Sequence, residues 1–348
     1  MTILKGRTKY SQMSTLDSEL QQLIASYHEL NVESPDELQE EPSPLEFMRY
    51  VARNRPFVVR CGAREWPAVK SWNLSYLTNM MGGQSVNVAM TPFGNADSVL
   101  HLDDGSTMFV KPYECDLVFE KAASYIAQQE LERANGVIYY CQTQNDNLRH
   151  EYESLFKDVP KSIPFARIAL QRDPDAVNFW LGNSRSVTAL HKDPYENIYV
   201  QVLGQKHFVL LPPIESACVN EQLHPAATYK CRYPGIAYEL GNVELFPTLD
   251  NPAAQVPFAA WDPDLPEVNA TAFSSLSRPM RVTLEPGDML YLPALWYHKV
   301  SQSCNKEGLC CAVNYWYDME YSGSFYPLST FSRRISLLAT SGNALAPE

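Results

Sequence analysis

Apolar residues Leu16, Leu20, Leu23, Ile24, Tyr27 and Leu30 recur at intervals of three and four. That spacing gives one face of a helix an apolar stripe from about residue 15 to 30, and predicts a helix docked on the main body. Residues 32–44 are acidic and carry three prolines, the texture of a connection. A second helix then starts cleanly: Ser43 can cap it, Pro44 stands where a first turn tolerates proline, and Glu46 completes a Ser-x-x-Glu capping box. Arg55-Pro56 should end it.

From Phe57 onward the period changes from helical to short β-rich runs at 57–59, 86–90 and 137–140, bounded by Gly, Pro and Asn. One helix is predicted among them, over about 117–135. After Ala176 strands come thickly, at 177–181, 196–203, 207–211, 289–292 and 309–317. Many short strands separated by turn signals predict an antiparallel barrel or sandwich. The Pro-rich polar stretch 218–280 reads as a long insertion over that barrel, and no internal repeat is present. The expected organisation is an N-terminal helical region (1–55), a β body (56–325) and a C-terminal helix with a tail (326–348).

Composition narrows the class. A chain of 348 residues that is 45% apolar can bury a substantial core. Its 40 acidic and 28 basic residues give a net charge of -12, which disfavours broad attraction to phosphate backbones, so no direct nucleic-acid partner is expected. A cationic partner suits the charge better. No run of 18 apolar residues occurs, so no membrane span is expected. The first 14 residues lack the apolar core of a signal peptide, and the chain reads as intracellular. The eight cysteines form no C-x-x-C pair, and most are expected to be buried thiols.

The candidate chemistry begins at His191-Lys192-Asp193, the end of a β-like run. Side chains two apart on a strand share a face, so His191 and Asp193 can converge, as they could not on a helix. His298 is the best third partner, because a turn at 285–288 and a strand at 289–293 lead to it. Two histidines and a carboxylate on one face of an octahedron leave positions open, as in non-haem Fe(II) oxygenases, although zinc accepts the same ligands.

Lys206 lies in an otherwise apolar run, Gly204-Gln205-Lys206-His207-Phe208, expected on the next strand of a hairpin. A lysine there either faces solvent or needs an anion, and the distal carboxylate of 2-oxoglutarate is a suitable one. The hydroxyl of Thr188 or of Tyr140 could bond the same group, and each is equally an ordinary sheet residue. His207 should point the other way and be structural. His28, His101, His150 and His224 have no ligand-like neighbours in sequence. Cys310 and Cys311 should point apart. Trp180, Trp296, Tyr297, Tyr315, Trp316 and Tyr317 crowd the flanks as core or channel residues.

Taken together, 175–182, Thr188-Ala189-Leu190-His191-Lys192-Asp193-Pro194-Tyr195-Glu196-Asn197, 204–208, Tyr291-Leu292-Pro293-Ala294-Leu295-Trp296-Tyr297-His298 and 312–321 resemble the JmjC family, in particular its lysyl hydroxylases. The likeness spans roughly 53–325. It implies a mainly β fold with flanking helices, a double-stranded β-helix of the jelly-roll or cupin type. It implies Fe(II) on His191, Asp193 and His298, and 2-oxoglutarate on Lys206, Thr188 and Tyr140 with Asn197 and Asn314 nearby. The implied reaction is C-3 hydroxylation of a lysyl side chain in a protein, using O2 and releasing succinate and CO2. Developmentally regulated GTP-binding proteins are the implied substrates, and paired terminal helices, here 325–338, imply a homodimer. The expected compartment is the cytoplasm, with the nucleus second. Three other outcomes remain open: N-methyl-lysine demethylation, a non-catalytic cupin-like binding module, and a peptidase acting on methylated histone tails. Pro194, Phe93-Gly94-Asn95 and the 218–280 stretch depart from the family's usual pattern.

Overall fold

A computed structural model describes residues 15–133, 136–233 and 243–340. The leader reading of residues 1–14, the end of the predicted 117–135 helix, the middle of the 218–280 stretch and the tail past 340 lie outside them.

Two facing sheets make the centre. One runs, in spatial order, Asp36–Leu38, Phe57–Val59, Met289–Leu292, Tyr195–Leu203, Cys310–Asp318, Ala176–Gly182; the other runs Met280–Leu284, Gln205–Leu211, Tyr297–Ser303, Thr188–Lys192. From Ala176 to Asp318 the chain passes from sheet to sheet with almost every strand, the winding of a double-stranded β-helix. Gly204, at φ +66, makes one such passage; a Cβ there would meet the Ser303 carbonyl oxygen at 2.4 Å. The strand carrying Lys206 is therefore no hairpin partner of Tyr195–Leu203, as the sequence had suggested; it pairs with Tyr297–Ser303 and Met280–Leu284.

Side-chain alternation explains why these strands are buried on both faces. Trp180, Tyr199, Phe208, Leu210, Ala312 and Trp316 pack between the sheets. Their neighbours Phe179, Leu181, Ile198, Val200, Val313 and Tyr315 point outward, where they join a second core. Helices Pro44–Arg53, Phe119–Leu131 and Pro164–Leu170 contribute Phe47, Phe119, Ile126 and Phe165 to that core. The capping box forms as expected, with Ser43 N donating to Glu46 at 2.8 Å and Glu46 N donating to Ser43 Oγ at 3.3 Å.

Several expectations change. Asp36–Leu38, inside the presumed connection, is a strand parallel to Phe57–Val59. The 218–280 stretch contributes Glu221–Cys231, Leu245–Leu249 and Gln255–Ala259, which form a sheet with Thr107–Lys111 and Ser98–His101. The first helix, Thr15–Leu30, lies as predicted; Leu20 and Ile24 pack with Ala217, Cys218 and Phe273, and Ile335 of the C-terminal helix Phe325–Thr340 joins them. Only Cys141, Cys218, Cys310 and Cys311 are buried; Cys61 is exposed and the other three are half-buried. No described helix is long and apolar enough to cross a membrane.

Candidate active site

Strands Thr188–Lys192 and Tyr297–Ser303 run antiparallel and set His191 opposite His298, ring centroids 4.1 Å apart. Asp193 follows immediately, its backbone carbonyl accepting from Leu295 N at 2.8 Å. Its Oδ2 lies 3.5 Å from His191 Nε2 and 3.6 Å from His298 Nε2. One ligand atom from each of the three falls within 4.8 Å of the others.

The tautomers follow from the backbone. His191 Nδ1 is 2.8 Å from the Ala189 carbonyl oxygen and His298 Nδ1 is 3.1 Å from that of Trp296. A carbonyl only accepts, so each Nδ1 carries the hydrogen and each Nε2 turns a lone pair to the centre. Burial, reinforced by the neighbouring imidazole, pushes His298 down to about 4 and keeps it neutral. Burial opposes charge on Asp193 too, but His191 and His298 hold it at about 2. At His191 burial lowers the proton affinity and Asp193 more than restores it, leaving it raised. Once His191 gives up its proton, two nitrogen donors and an ionised carboxylate fit a divalent metal such as iron.

Lys206 points between the sheets beside this cluster and is 2% exposed. Its Nζ donates to Tyr140 Oη at 3.0 Å and sits 5.3 Å from that ring's centre. Among the described residues no carboxylate reaches ion-pair distance of Lys206. Burial beside neutral phenols and the Cys310 thiol leaves the ammonium short of a counter-charge. Gly182 makes room for Tyr140: a Cβ there would come 2.7 Å from Tyr140 Cδ2 and from Gln302 Nε2. Asn314 Nδ2 donates to Asn197 Oδ1 at 3.1 Å, and Trp180 Nε1 donates to Asn314 Oδ1 at 2.8 Å. All the residues singled out in the sequence, His191, Asp193, His298, Lys206, Thr188, Tyr140, Asn197 and Asn314, line one cavity, with Trp180, Tyr199, Phe208 and Trp316 as its apolar walls. A small dianion, one end at the triad and the other at Lys206, fits that lining.

Outside the triad a wider groove opens, and most of the residues it adds carry no signal in the sequence. It is lined by Asp97, Glu114, Gln142, Glu221 and Arg333, and by Phe258 from the 218–280 stretch. Arg333 Nε bonds both Glu221 oxygens, at 3.0 and 2.9 Å. Lys192 Nζ reaches Tyr297 Oη at 3.1 Å, and burial drops its ammonium to about 8. The other histidines lie elsewhere. His207 is structural, bonded to Thr283 Oγ1 and Ser303 Oγ at 2.9 Å each. His28 does have an acidic neighbour, Glu215 at 3.0 Å, from a segment distant in sequence. Of the flanking aromatics, Trp180 and Trp316 face the cavity, Tyr315 and Tyr317 belong to the outer core, and Trp296 Nε1 donates to Asn54 Oδ1 at 2.7 Å.

Comparison with known proteins places these features in a family. The cupin-like domain matches residues 42–323. The human bifunctional peptidase and (3S)-lysyl hydroxylase JMJD7 is 38% identical over 95% of the chain and 98% of its own length. JmjC domain-containing protein E of Dictyostelium discoideum is 36% identical over 81% of the chain and 83% of its own length. Lysine-specific demethylase JMJ32 of Arabidopsis thaliana is 34% identical over 87% of each.

Proposed function

The chain belongs to the cupin-like JmjC family of 2-oxoglutarate-dependent oxygenases, and on that premise we propose that it hydroxylates a lysyl side chain, at C-3, in a protein substrate. The observation that carries the reading is the pairing, in one cavity, of the His191–Asp193–His298 triad with a buried Lys206 that meets no carboxylate among the described residues. His191, Asp193 and His298 would hold Fe(II). Lys206, with Tyr140 and Thr188, would take the distal carboxylate of 2-oxoglutarate, and Asn197 and Asn314 would support it from the adjoining strands. With O2, bound iron and 2-oxoglutarate supply oxidative decarboxylation to succinate and CO2 coupled to hydroxylation of a C–H bond.

The chain's own residues do the positioning. The Ala189 and Trp296 carbonyls fix both imidazoles and present Nε2. Trp180, Tyr199, Phe208 and Trp316 keep bulk water from the co-substrate cavity, which strengthens the charge pairing at Lys206.

A lysine on a GTP-binding protein of the developmentally regulated class is the proposed target, met in the cytoplasm and also in the nucleus. Self-association as a homodimer through the terminal helices is proposed with it, since Leu328 and Phe331 on Phe325–Thr340 and Leu30 on the first helix are exposed. Light scattering at micromolar concentration should give twice the chain mass, and a monomer alone would sink the dimer.

The decisive experiment gives iron-loaded protein O2, 2-oxoglutarate and lysine-containing peptides from such GTPases, and follows succinate and peptide mass. Addition of one oxygen to lysine, lost in His191→Ala, is expected. The Arabidopsis relative named a lysine-specific demethylase motivates a second reading. Formaldehyde released from methyl-lysyl peptide in step with succinate would favour it instead.

A further inference from the structure

We propose that Asp97 receives the ammonium of the substrate lysine, and so sets both the residue type accepted and the carbon held at the triad. The inference rests on the lysyl reading above and supplies its missing specificity residue. Two charged groups near the triad, Lys206 and Asp97, have no ion-pair partner among the described residues, and they line different cavities. Lys206 lines the inner cavity, Asp97 lines the outer groove, and His191, Thr188 and Gln144 line both. The inner cation suits the anionic co-substrate; the outer anion calls for a cationic substrate group by the same rule.

Asp97 is sheltered and poorly partnered. Among the described residues its one side-chain hydrogen bond comes from Gln142 Nε2 at the long distance of 3.5 Å, and no Lys, Arg or His reaches ion-pair range of it. The groove's lysine and arginine are committed elsewhere: Arg333 to Glu221, and Lys192 to Tyr297 Oη at 3.1 Å and Glu221 at 3.8 Å. Burial raises the Asp97 carboxyl to about 6 against the pull of the more distant His191 and Lys111.

The position is also built rather than incidental. Asp97 has φ +51, a left-handed backbone that costs energy outside glycine. Its turn is clamped to the segment leading into the His191 strand: Val187 N donates to the Gly94 carbonyl at 2.9 Å, and Gly94 lies so close to Arg185 that a Cβ would meet its carbonyl oxygen at 1.9 Å. Ser98 Oγ closes the turn on the Asn95 carbonyl at 2.7 Å. Asp97 is thereby tied to the strand that carries His191. Phe109 and Phe258, rings 5.0 Å apart, give the same groove an apolar surface for the methylene stem of a lysine.

The arrangement selects between reactions. C-3 of lysine is separated from its ammonium by the remaining methylenes, so an anion beyond the triad lets that carbon sit at the reacting centre. Demethylation needs the nitrogen's own methyl there, with no separation for a distant carboxylate to use.

The test measures binding, not turnover. Protein loaded with Mn(II) and 2-oxoglutarate is titrated with a lysyl peptide and with the same peptide carrying norleucine, using wild type, Asp97→Asn and Asp97→Glu. Wild type should prefer lysyl by about tenfold or more, the Asn variant should lose most of that preference through weaker lysyl binding, and Glu should restore part of it. An Asn variant that keeps the preference, or a wild type that has none or binds neither peptide, overturns the inference. If the Asn variant no longer takes up Mn(II), it is misfolded, and the wild-type preference together with its partial retention in Asp97→Glu decides. Peptide mass after reaction with the iron-loaded enzyme is read separately. Charge-selective binding through Asp97 without hydroxylysine would leave the inference standing and remove the proposed reaction.

Discussion

Two single residues carry opposite burdens in the co-substrate cavity. Lys206 is a buried ammonium whose partner is a phenol, Tyr140 Oη at 3.0 Å. Replacing it by methionine keeps length and removes a charge that folding must desolvate, so the metal-free protein should gain about 1–3 kcal/mol in urea unfolding. The same variant should raise the KM for 2-oxoglutarate at least about tenfold, because a charge-assisted pair is lost. A variant that unfolds more easily would mean that the fold already satisfies the ammonium. Gly182 tests the neighbouring wall. An alanine there forces Tyr140 and Gln302 apart from the 2.7 Å approach a Cβ would make, at a cost of about 1–3 kcal/mol. Since Tyr140 is the hydroxyl bonded to Lys206, Gly182→Ala should also raise the KM for 2-oxoglutarate while leaving metal affinity alone. Metal titration against co-substrate kinetics separates the two.

Elements were legible where local chemistry or strict period decides them. The Ser43–Glu46 capping box is a contact within one turn, and it forms as read. The runs around 177–181, 196–203 and 309–317 are dense in aromatic and β-branched residues, and they became Ala176–Gly182, Tyr195–Leu203 and Cys310–Asp318. His191 and Asp193 could be paired because two-residue spacing on a strand is a local fact, and His298 because a turn and strand led to it. What failed depends on distant partners. Asp36–Leu38 is a strand only because Phe57–Val59 lies alongside, and Glu221–Cys231 only because Thr107–Lys111 and Gln255–Ala259 flank it. Asp97 carries no local signal for the same reason, since only the fold brings it to Gln142 and into the groove that His191 lines. The C-terminal helix was read as a dimer element, yet it also reaches the groove through Arg333. Arg333→Ala would strand the Glu221 carboxylate, which is 8% exposed, with Lys192 at 3.8 Å as its remaining cation. The arginine is itself partly exposed, so a loss of about 1–3 kcal/mol is expected in thermal or urea unfolding. An unchanged midpoint would mean that Lys192 swings in to replace it.

For the whole molecule, the proposed metal links stability to pH in a way that the three ligands divide unequally. His191 and His298 sit on adjacent strands, and Thr188–Lys192 is the edge of its sheet. A metal held there pins that edge to the interior, and any ion that binds only the folded state adds RT ln(1 + [L]/Kd), about 2.7 kcal/mol at a hundredfold excess over Kd. The gain should appear with Mn(II) under nitrogen, vanish with a chelator and be absent in His191→Ala. Its pH dependence follows from which ligand still carries a proton. Asp193 lies at about 2 and His298 at about 4, so near pH 6.5 both have already given up theirs. His191, raised by Asp193, is the last of the three to give up its proton. Taken alone in the metal-free fold, a raised histidine lends stability that is present below its unfolded value and fades as pH rises through its folded value. Metal requires the deprotonated nitrogen, so the stabilisation by metal changes the other way, small in acid and growing as pH climbs past the His191 titration. Calorimetry in buffers of different ionisation enthalpy should therefore find proton release on metal binding near pH 6.5, falling toward none as pH rises past the His191 titration. Release of more than one proton would mean that His298 is not held neutral, and release of none would place the metal away from His191.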